Sequence, residues 1–259
     1  MSLSAKGKRV IVTGGSRGIA RAAVQALAKE GANVVIFDII DDAGKKIAEE
    51  ATAAWPGTVT YSHVDISKRD DVFQATAAAV ATLGGLDSLL NIAGIERRAR
   101  AEDITEAELD LILNINLKGT VFMNQAVFPH LKENGGSIIN FGSDAGLAPY
   151  PMGSHYAASK GAVHSFSRTL AVEWGKYNIR VNTVVPAIWT EMYNEFRSRL
   201  TAEELMGHDK IMLEKIPLGG KLGDPTRDLA PVILFLVSDG SQFITGQIIS
   251  VNGGLGNVR

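Results

Sequence analysis

At 259 residues, 46% hydrophobic and 21% charged, the chain has the make-up of a globular α/β protein able to bury a large core. Lys and Arg number 26 against 28 Asp and Glu, and a formal net charge of -2 offers no field for drawing in nucleic acid or an acidic membrane. There are no cysteines, which excludes disulfides, thiolate nucleophiles and thiolate metal sites and agrees with a reducing cytoplasm as the expected location.

In chain order, Lys6, Lys8 and Arg9 precede an apolar run of only Val10, Ile11 and Val12, too short for an export signal. No stretch approaches the roughly 20 apolar residues needed to cross a bilayer. Short β-branched runs then recur at residues 9–12, 34–37, 59–63, 88–91, 137–141, 180–185 and 247–251. Most are apolar without alternation, as expected of strands covered on both faces. Between them lie segments rich in Ala, Glu, Lys and Leu with helical patterning, such as residues 19–29, 43–54, 72–82 and 157–174. This rhythm predicts an α/β fold: a doubly wound, Rossmann-like, mostly seven-stranded parallel sheet between layers of helix. With no linker or internal repeat, residues 1–259 read as one domain. Residues 189–221 form a helical insertion between the sixth and seventh strands. Open α/β sheets bind ligands at that end, so a lid over a substrate cleft is expected there. The insertion carries Trp189, Met192, Tyr193 and Phe196.

The first strand runs directly into Gly14, Gly15, Ser16, Arg17, Gly18 and Ile19, the last of which opens the first helix. Glycines there allow a tight turn and let backbone N–H groups approach a pyrophosphate. Asp38 ends the second strand, where a carboxylate accepts hydrogen bonds from ribose hydroxyls and repels a 2′-phosphate. NAD is therefore expected over NADP, although Arg17, a cation in the loop, pulls the other way.

Tyr156 and Lys160 stand four residues apart on one face of a helix. A free phenol has a pKa of about 10, and lowering it by roughly 3 units takes about 4 kcal/mol of differential stabilisation. A cation such as Lys160, together with an oxidised nicotinamide ring, is a source of that stabilisation. Ser143 ends the fifth strand, Asn91-Ile-Ala93-Gly94 ends the fourth, and Asn116 lies in a Leu-Asn-Ile-Asn-Leu-Lys-Gly run.

Together with the glycine loop and the closing Thr-Gly-Gln and Asn-Gly-Gly segments, these motifs resemble the classical short-chain dehydrogenase/reductase family over essentially the whole chain. The resemblance implies that Tyr156 is the general acid/base, with Lys160 its activator and a ligand of the nicotinamide ribose. It implies that Ser143 polarises the substrate oxygen and that Asn116 holds a water for a proton relay. It assigns Asp65 and Ile66 to the adenine side. Asn91, Ala93 and Gly94 then line the cofactor, and Pro186, Ile188 and Thr190 lie near the nicotinamide carboxamide. A homotetramer is also implied, with the apolar helix at residues 231–237 and the last strand as interface elements.

Three departures from the family pattern stand out: Ala20 in place of a third loop glycine, Gly142 where a serine is common, and a shortened turn after Pro186. Leu147, Tyr150, Met152, Trp189, Met192, Tyr193 and Phe196 are the expected pocket walls, suited to an apolar or cyclic secondary alcohol or its ketone. Glu96, Arg97, Arg98 and Arg100 read either as a solvated loop or as a source of one arginine for a substrate carboxylate. His155 is expected to face solvent, and the histidines show no metal-ligand spacing. Two rivals stay open: a catalytically silent nucleotide-binding regulator, and a related lyase or dehalogenase without nicotinamide.

Overall fold

The structure, a computed structural model, describes residues 4–256. The first half alternates β1 (Arg9–Thr13), α1 (Gly18–Lys29), β2 (Asn33–Asp38), α2 (Asp41–Ala54), β3 (Val59–His63) and α3 (Arg69–Leu83). The second runs from β4 (Ser88–Asn91) through α4 (Glu106–Ile112), a π-helical stretch (Leu113–Gly119) and α5 (Thr120–Leu131) into β5 (Gly136–Phe141). Then follow α6 (Ser154–Trp174), β6 (Ile179–Pro186), α7 (Glu191–Ser198), α8 (Ala202–Lys215), α9 (Ala230–Val237) and β7 (Ile248–Val251).

The sheet has seven parallel strands in the order β3-β2-β1-β4-β5-β6-β7. The period-two alternation of a strand explains its unbroken apolar runs. Val10, Val12, Leu90 and Ile139 point into one core with α1 and α9, while Ile11, Leu89 and Ile138 point into the other with α3 and α5. All seven are fully buried. The two edge strands, β3 and β7, are only partly covered.

Strand order reverses between β1 and β4, and there the carboxyl ends of neighbouring strands diverge into a crevice. The loops after β1, β4, β5 and β6 all open onto that end. Two boundaries differ usefully from expectation. α2 begins at Asp41, two residues early, with Asp41 and Asp42 in its first turn, where acidic groups favour the helix dipole. α6 begins at Ser154 rather than at residue 157, so Tyr156 already lies in the helix.

The insertion after β6 is a helical pair, α7 and α8, and Thr190 and Thr201 cap the two helices through their side chains. A parallel bridge between Ile188 and Gly223 closes its base. Among the described residues, no helix is long and apolar enough to cross a membrane.

Candidate active site

The glycine loop is held by its neighbours on both sides. Gly14 has φ 73°, and a Cβ on it would come within 3.0 Å of Ala93 Cα, so only glycine lets the loop cross the end of β4 this closely. Thr13 Oγ1 accepts from the amides of Ile92 and Ala93, each at 3.0 Å, and donates to Asn91 Oδ1 at 3.2 Å. Gly18 (φ 56°) starts α1, while Arg17 projects outward. Ala20, in place of the third glycine, is buried in the core without disturbing α1.

Asp38 ends β2 and is nearly buried. One oxygen accepts from the Ser16 amide at 3.0 Å, and the other accepts from Ile39 and Ile40 at 2.7 and 3.1 Å. Asp38 therefore orders the glycine loop as well as presenting a carboxylate beside it. The Tyr61 hydroxyl, which the sequence reading passed over, donates to the Asp38 carbonyl at 2.8 Å. Asp65 accepts from the amide and hydroxyl of Ser67 at 3.0 and 2.7 Å. Burial pushes its carboxyl up, but the bonds from Ser67 outweigh this and hold it below the ordinary range. Ile66 packs into the notch left by Gly119, where a Cβ would lie 2.8 Å from Ile66 Cδ1.

Two buried asparagines act mainly as girders. Asn91 Nδ2 donates to the Thr120 carbonyl and Asn140 Oδ1, and Asn140 is bonded in turn to Asn124 and Ser167. This polar chain through the core makes each member's buried groups mutually satisfied. Sequence spacing gave no sign of Asn124, Asn140 or Ser167. Asn116, in the π-helical stretch, uses its side chain on the loop after β4. Its Oδ1 accepts from the Ile95 amide at 2.8 Å, and its Nδ2 donates to the Ile95 carbonyl at 2.9 Å and to Ser159 Oγ at 3.1 Å. Gly94 opens the space between Asn116 and Lys160, since a Cβ there would lie 3.1 Å from Asn116 Oδ1 and 3.5 Å from Lys160 Nζ.

Ser143, Tyr156 and Lys160 converge beside that space. The Ser143 hydroxyl bonds the Tyr156 phenol and accepts from the Ala145 amide at 3.1 Å. Lys160 Nζ donates to the Phe141 carbonyl at 2.8 Å and lies 5.9 Å from the Tyr156 ring centroid. Burial pushes Lys160 down to about 8. It also pushes Tyr156 up, to about 12; the Ser143 bond opposes this in part, and the charge of Glu96 adds to it. In the protein by itself desolvation dominates, and the lysine is anchored to β5.

The Tyr150 ring lies 6.0 Å from that of Tyr156 and is fixed from both flanks. Its hydroxyl donates to Glu96 Oε1 and accepts from Arg98 Nη2, both at 2.6 Å, while Arg98 also pairs with Glu96 at 3.1 Å. A Cβ at Gly153 would stand 2.5 Å from Tyr150 Cδ1, which is why glycine precedes α6. Leu147 and Met152 are exposed at the same rim.

The lid aromatics expected as walls largely pack on one another. Trp189 meets Tyr193 edge-on at 4.8 Å, Phe196 meets His208 at 5.4 Å, and the Tyr193 hydroxyl bonds His208 Nε2 at 2.6 Å. Met192 is exposed. Arg21 of α1 pairs with Glu191 at the start of α7 and so ties the insertion to the helix that follows the glycine loop. Pro186 ends β6. Ile188 is buried in the core, and the Thr190 hydroxyl caps α7 by accepting from the Tyr193 amide at 3.3 Å. His155 is 3% exposed and faces the interior, contrary to expectation.

Comparison with known proteins agrees with this geometry. Residues 14–256 match the family described as enoyl-(acyl carrier protein) reductase. The chain is 38% identical over 250 residues to 3-oxoacyl-[acyl-carrier-protein] reductase FabG of Chlamydia trachomatis, covering 96% of this chain and 97% of that one. It is 35% identical over 252 residues to trans-4-hydroxycyclohexanecarboxylate dehydrogenase of Sinomonas cyclohexanicum, covering 95% and 92%. A short-chain type dehydrogenase/reductase from Mycobacterium marinum superposes with a TM-score of 0.86 at 29% identity, covering 99% of this chain and 100% of that one. By fold, by the company its glycine loop keeps with Ser143, Tyr156 and Lys160, and by this similarity along its length, the chain belongs to the short-chain dehydrogenase/reductase family of oxidoreductases.

Proposed function

We propose that this oxidoreductase interconverts an uncharged, apolar or cyclic secondary alcohol and its ketone, with NAD(H) preferred and Tyr156 as general acid/base. The observation that carries the reading is the half-buried Tyr156 phenol, bonded to the Ser143 hydroxyl with Lys160 one helical turn away. The residues fit a dinucleotide. Side chains at Gly14 and Gly94 would fill the space along the crevice, and Asp38, beside the glycine loop, would meet the ribose. Gly14, Ser16, Gly18 and Ile19 with Asn91, Ala93 and Gly94 would hold the cofactor. Lys160 and Thr190 would hold its nicotinamide end, and Asp65 and Ile66 its adenine end. A bound nicotinamide supplies the hydride acceptor or donor, and its oxidised ring carries positive charge.

Each protein group then has one task. In oxidation the Tyr156 phenolate takes the hydroxyl proton, and in reduction the phenol gives it back. Ser143 donates its single hydroxyl hydrogen to the substrate oxygen, and its oxygen accepts from the phenol whenever Tyr156 is protonated. Lys160, fixed by the Phe141 carbonyl, keeps a positive charge near the developing anion. Asn116 holds the loop after β4 in register with Lys160 through Ile95 and Ser159.

Glu96 already neutralises Arg98, and the Tyr150 hydroxyl is shared between them. A substrate carboxylate would have to displace Glu96, which favours an uncharged substrate. The name of the Sinomonas relative, trans-4-hydroxycyclohexanecarboxylate dehydrogenase, supports a ring substrate; its carboxylate would meet Arg98 in this chain only by displacing Glu96. A second copy of the chain is the fitting partner for the half-covered β7 edge and for Phe235 on α9, in line with a homotetramer.

A panel of cyclic and acyclic secondary alcohols and ketones, offered with NAD(H) and NADP(H) and followed by absorbance of the reduced cofactor, tests the reading. Turnover of a neutral cyclic substrate with NAD(H) is expected. Tight NADH binding with no turnover of any member would replace it with a nucleotide-binding regulator.

A further inference from the structure

The end of β5 hands three successive backbone groups to its surroundings. The Phe141 carbonyl accepts from Lys160 Nζ at 2.8 Å. The Gly142 amide completes the ladder by donating to the Val184 carbonyl at 2.9 Å. The Ser143 amide is the first beyond the ladder, and it donates to His164 Nε2 at 3.3 Å. Lys160 and His164 are four residues apart on α6, so they sit one above the other against this strand end.

Gly142 is what admits the imidazole. A Cβ at that position would fall 2.0 Å from His164 Nε2 and 2.5 Å from its Cδ2. The glycine in place of a serine and the histidine on α6 are therefore one arrangement: the ring occupies the volume a side chain at 142 would take. His164 is 2% exposed and its Nδ1 has no partner among the described residues, so its one polar contact is the Ser143 amide. An orphaned backbone N–H in the interior is costly, which makes an acceptor at this spot valuable. Accepting requires the neutral ring with its proton on Nδ1. Burial, and then the charges of Lys160 and Arg168, keep the ring neutral by lowering it to about 4.

We propose that His164 is a positioning residue for the reaction, setting the backbone of Ser143 so that its hydroxyl meets both Tyr156 and the substrate oxygen. This rests on the reading of Ser143 and Tyr156 given above. The ring touches neither substrate nor cofactor and acts only through Ser143.

The test has a kinetic and a structural arm. His164→Leu keeps the bulk but has no acceptor, and is expected to lower kcat about tenfold while KM and NADH affinity stay within about twofold. His164→Gln, whose amide oxygen restores an acceptor, is expected to recover kcat to within about threefold of wild type. A wild-type kcat in folded His164→Leu, or a loss in His164→Gln equal to that in His164→Leu, overturns the positioning role. In the structural arm, Gly142→Ser is expected to lower Tm in the wild-type background and much less in His164→Ala, where the slot is vacant. Additive Tm changes in this double-mutant cycle overturn the shared slot whether or not Ser143 takes part in catalysis. Undiminished turnover in Ser143→Ala would instead locate the failure in the active-site reading, since it leaves the Tm coupling untouched.

Discussion

Lys160 Nζ is bonded to the Phe141 carbonyl at 2.8 Å and stands 5.9 Å from the centre of the Tyr156 ring. A charge is thus held beside the phenol by the strand end, not by the phenol itself. Lys160 is 6% exposed, and its ammonium is depressed to about 8 by that burial.

The depressed lysine has a consequence for stability. Between about 8 and its ordinary value of 10.5, the folded chain binds fewer protons at this site than the unfolded chain, so stability rises with pH across that window. Below it the full penalty applies, about 3 kcal/mol at 1.36 kcal/mol per pKa unit. Lys160→Met removes the penalty and loses one hydrogen bond. Urea unfolding should show the variant about 1–3 kcal/mol more stable than wild type at pH 7. The advantage should shrink towards pH 10, and a variant less stable at both values would contradict the account.

Asp38 has two duties, and its loss should reveal both. Asp38→Ala leaves the amides of Ser16, Ile39 and Ile40 without their acceptor and removes the carboxylate beside the glycine loop, where the proposed cofactor's ribose would lie. Hydrogen bonds to a charged group are worth about 1.5–3 kcal/mol, so kcat/KM with NAD should fall roughly 10- to 100-fold. With NADP it should fall less or rise. Steady-state kinetics with both cofactors checks this, and an unchanged NAD-to-NADP ratio would remove Asp38 from cofactor choice.

Glu96 raises Tyr156 through its charge, so Glu96→Gln should lower the phenol. Oxidation uses the phenolate and gains rate as pH rises to the phenol's apparent pKa; reduction uses the phenol and loses rate above it. Both limbs of the kcat/KM profile should therefore move to lower pH in Glu96→Gln, whose amide oxygen can still accept from the Tyr150 hydroxyl. A profile that stays in place would mean that the Glu96 charge is not felt at Tyr156.

Much of this was legible in the sequence because it follows from periodicity and from glycine. Unbroken apolar runs such as Val10-Ile11-Val12 predict strands covered on both faces, and the structure divides the same residues between its two cores. Gly14 and Gly18 marked the loop because a positive φ and a close approach leave no other choice. Interior polar residues were not legible. Asn124, Asn140 and Ser167 are read as ordinary helix and strand positions until the fold brings them into one network. His155 was expected in solvent because adjacency to Tyr156 says nothing about which helix face it occupies. The lid aromatics were legible as a group, yet only contacts such as Tyr193 with His208 show that they largely satisfy each other. Gly142, a departure with no visible consequence in sequence, acquires one only when His164 is seen in its place.

The most direct test of the account is Tyr156→Phe, assayed on the best neutral substrate alongside NADH binding by fluorescence. The ring and its packing remain, while the one proton-carrying oxygen is lost, so kcat/KM should drop about 10²- to 10⁴-fold with NADH affinity within about twofold of wild type. Turnover near the wild-type rate in a folded variant that binds NADH normally would contradict it.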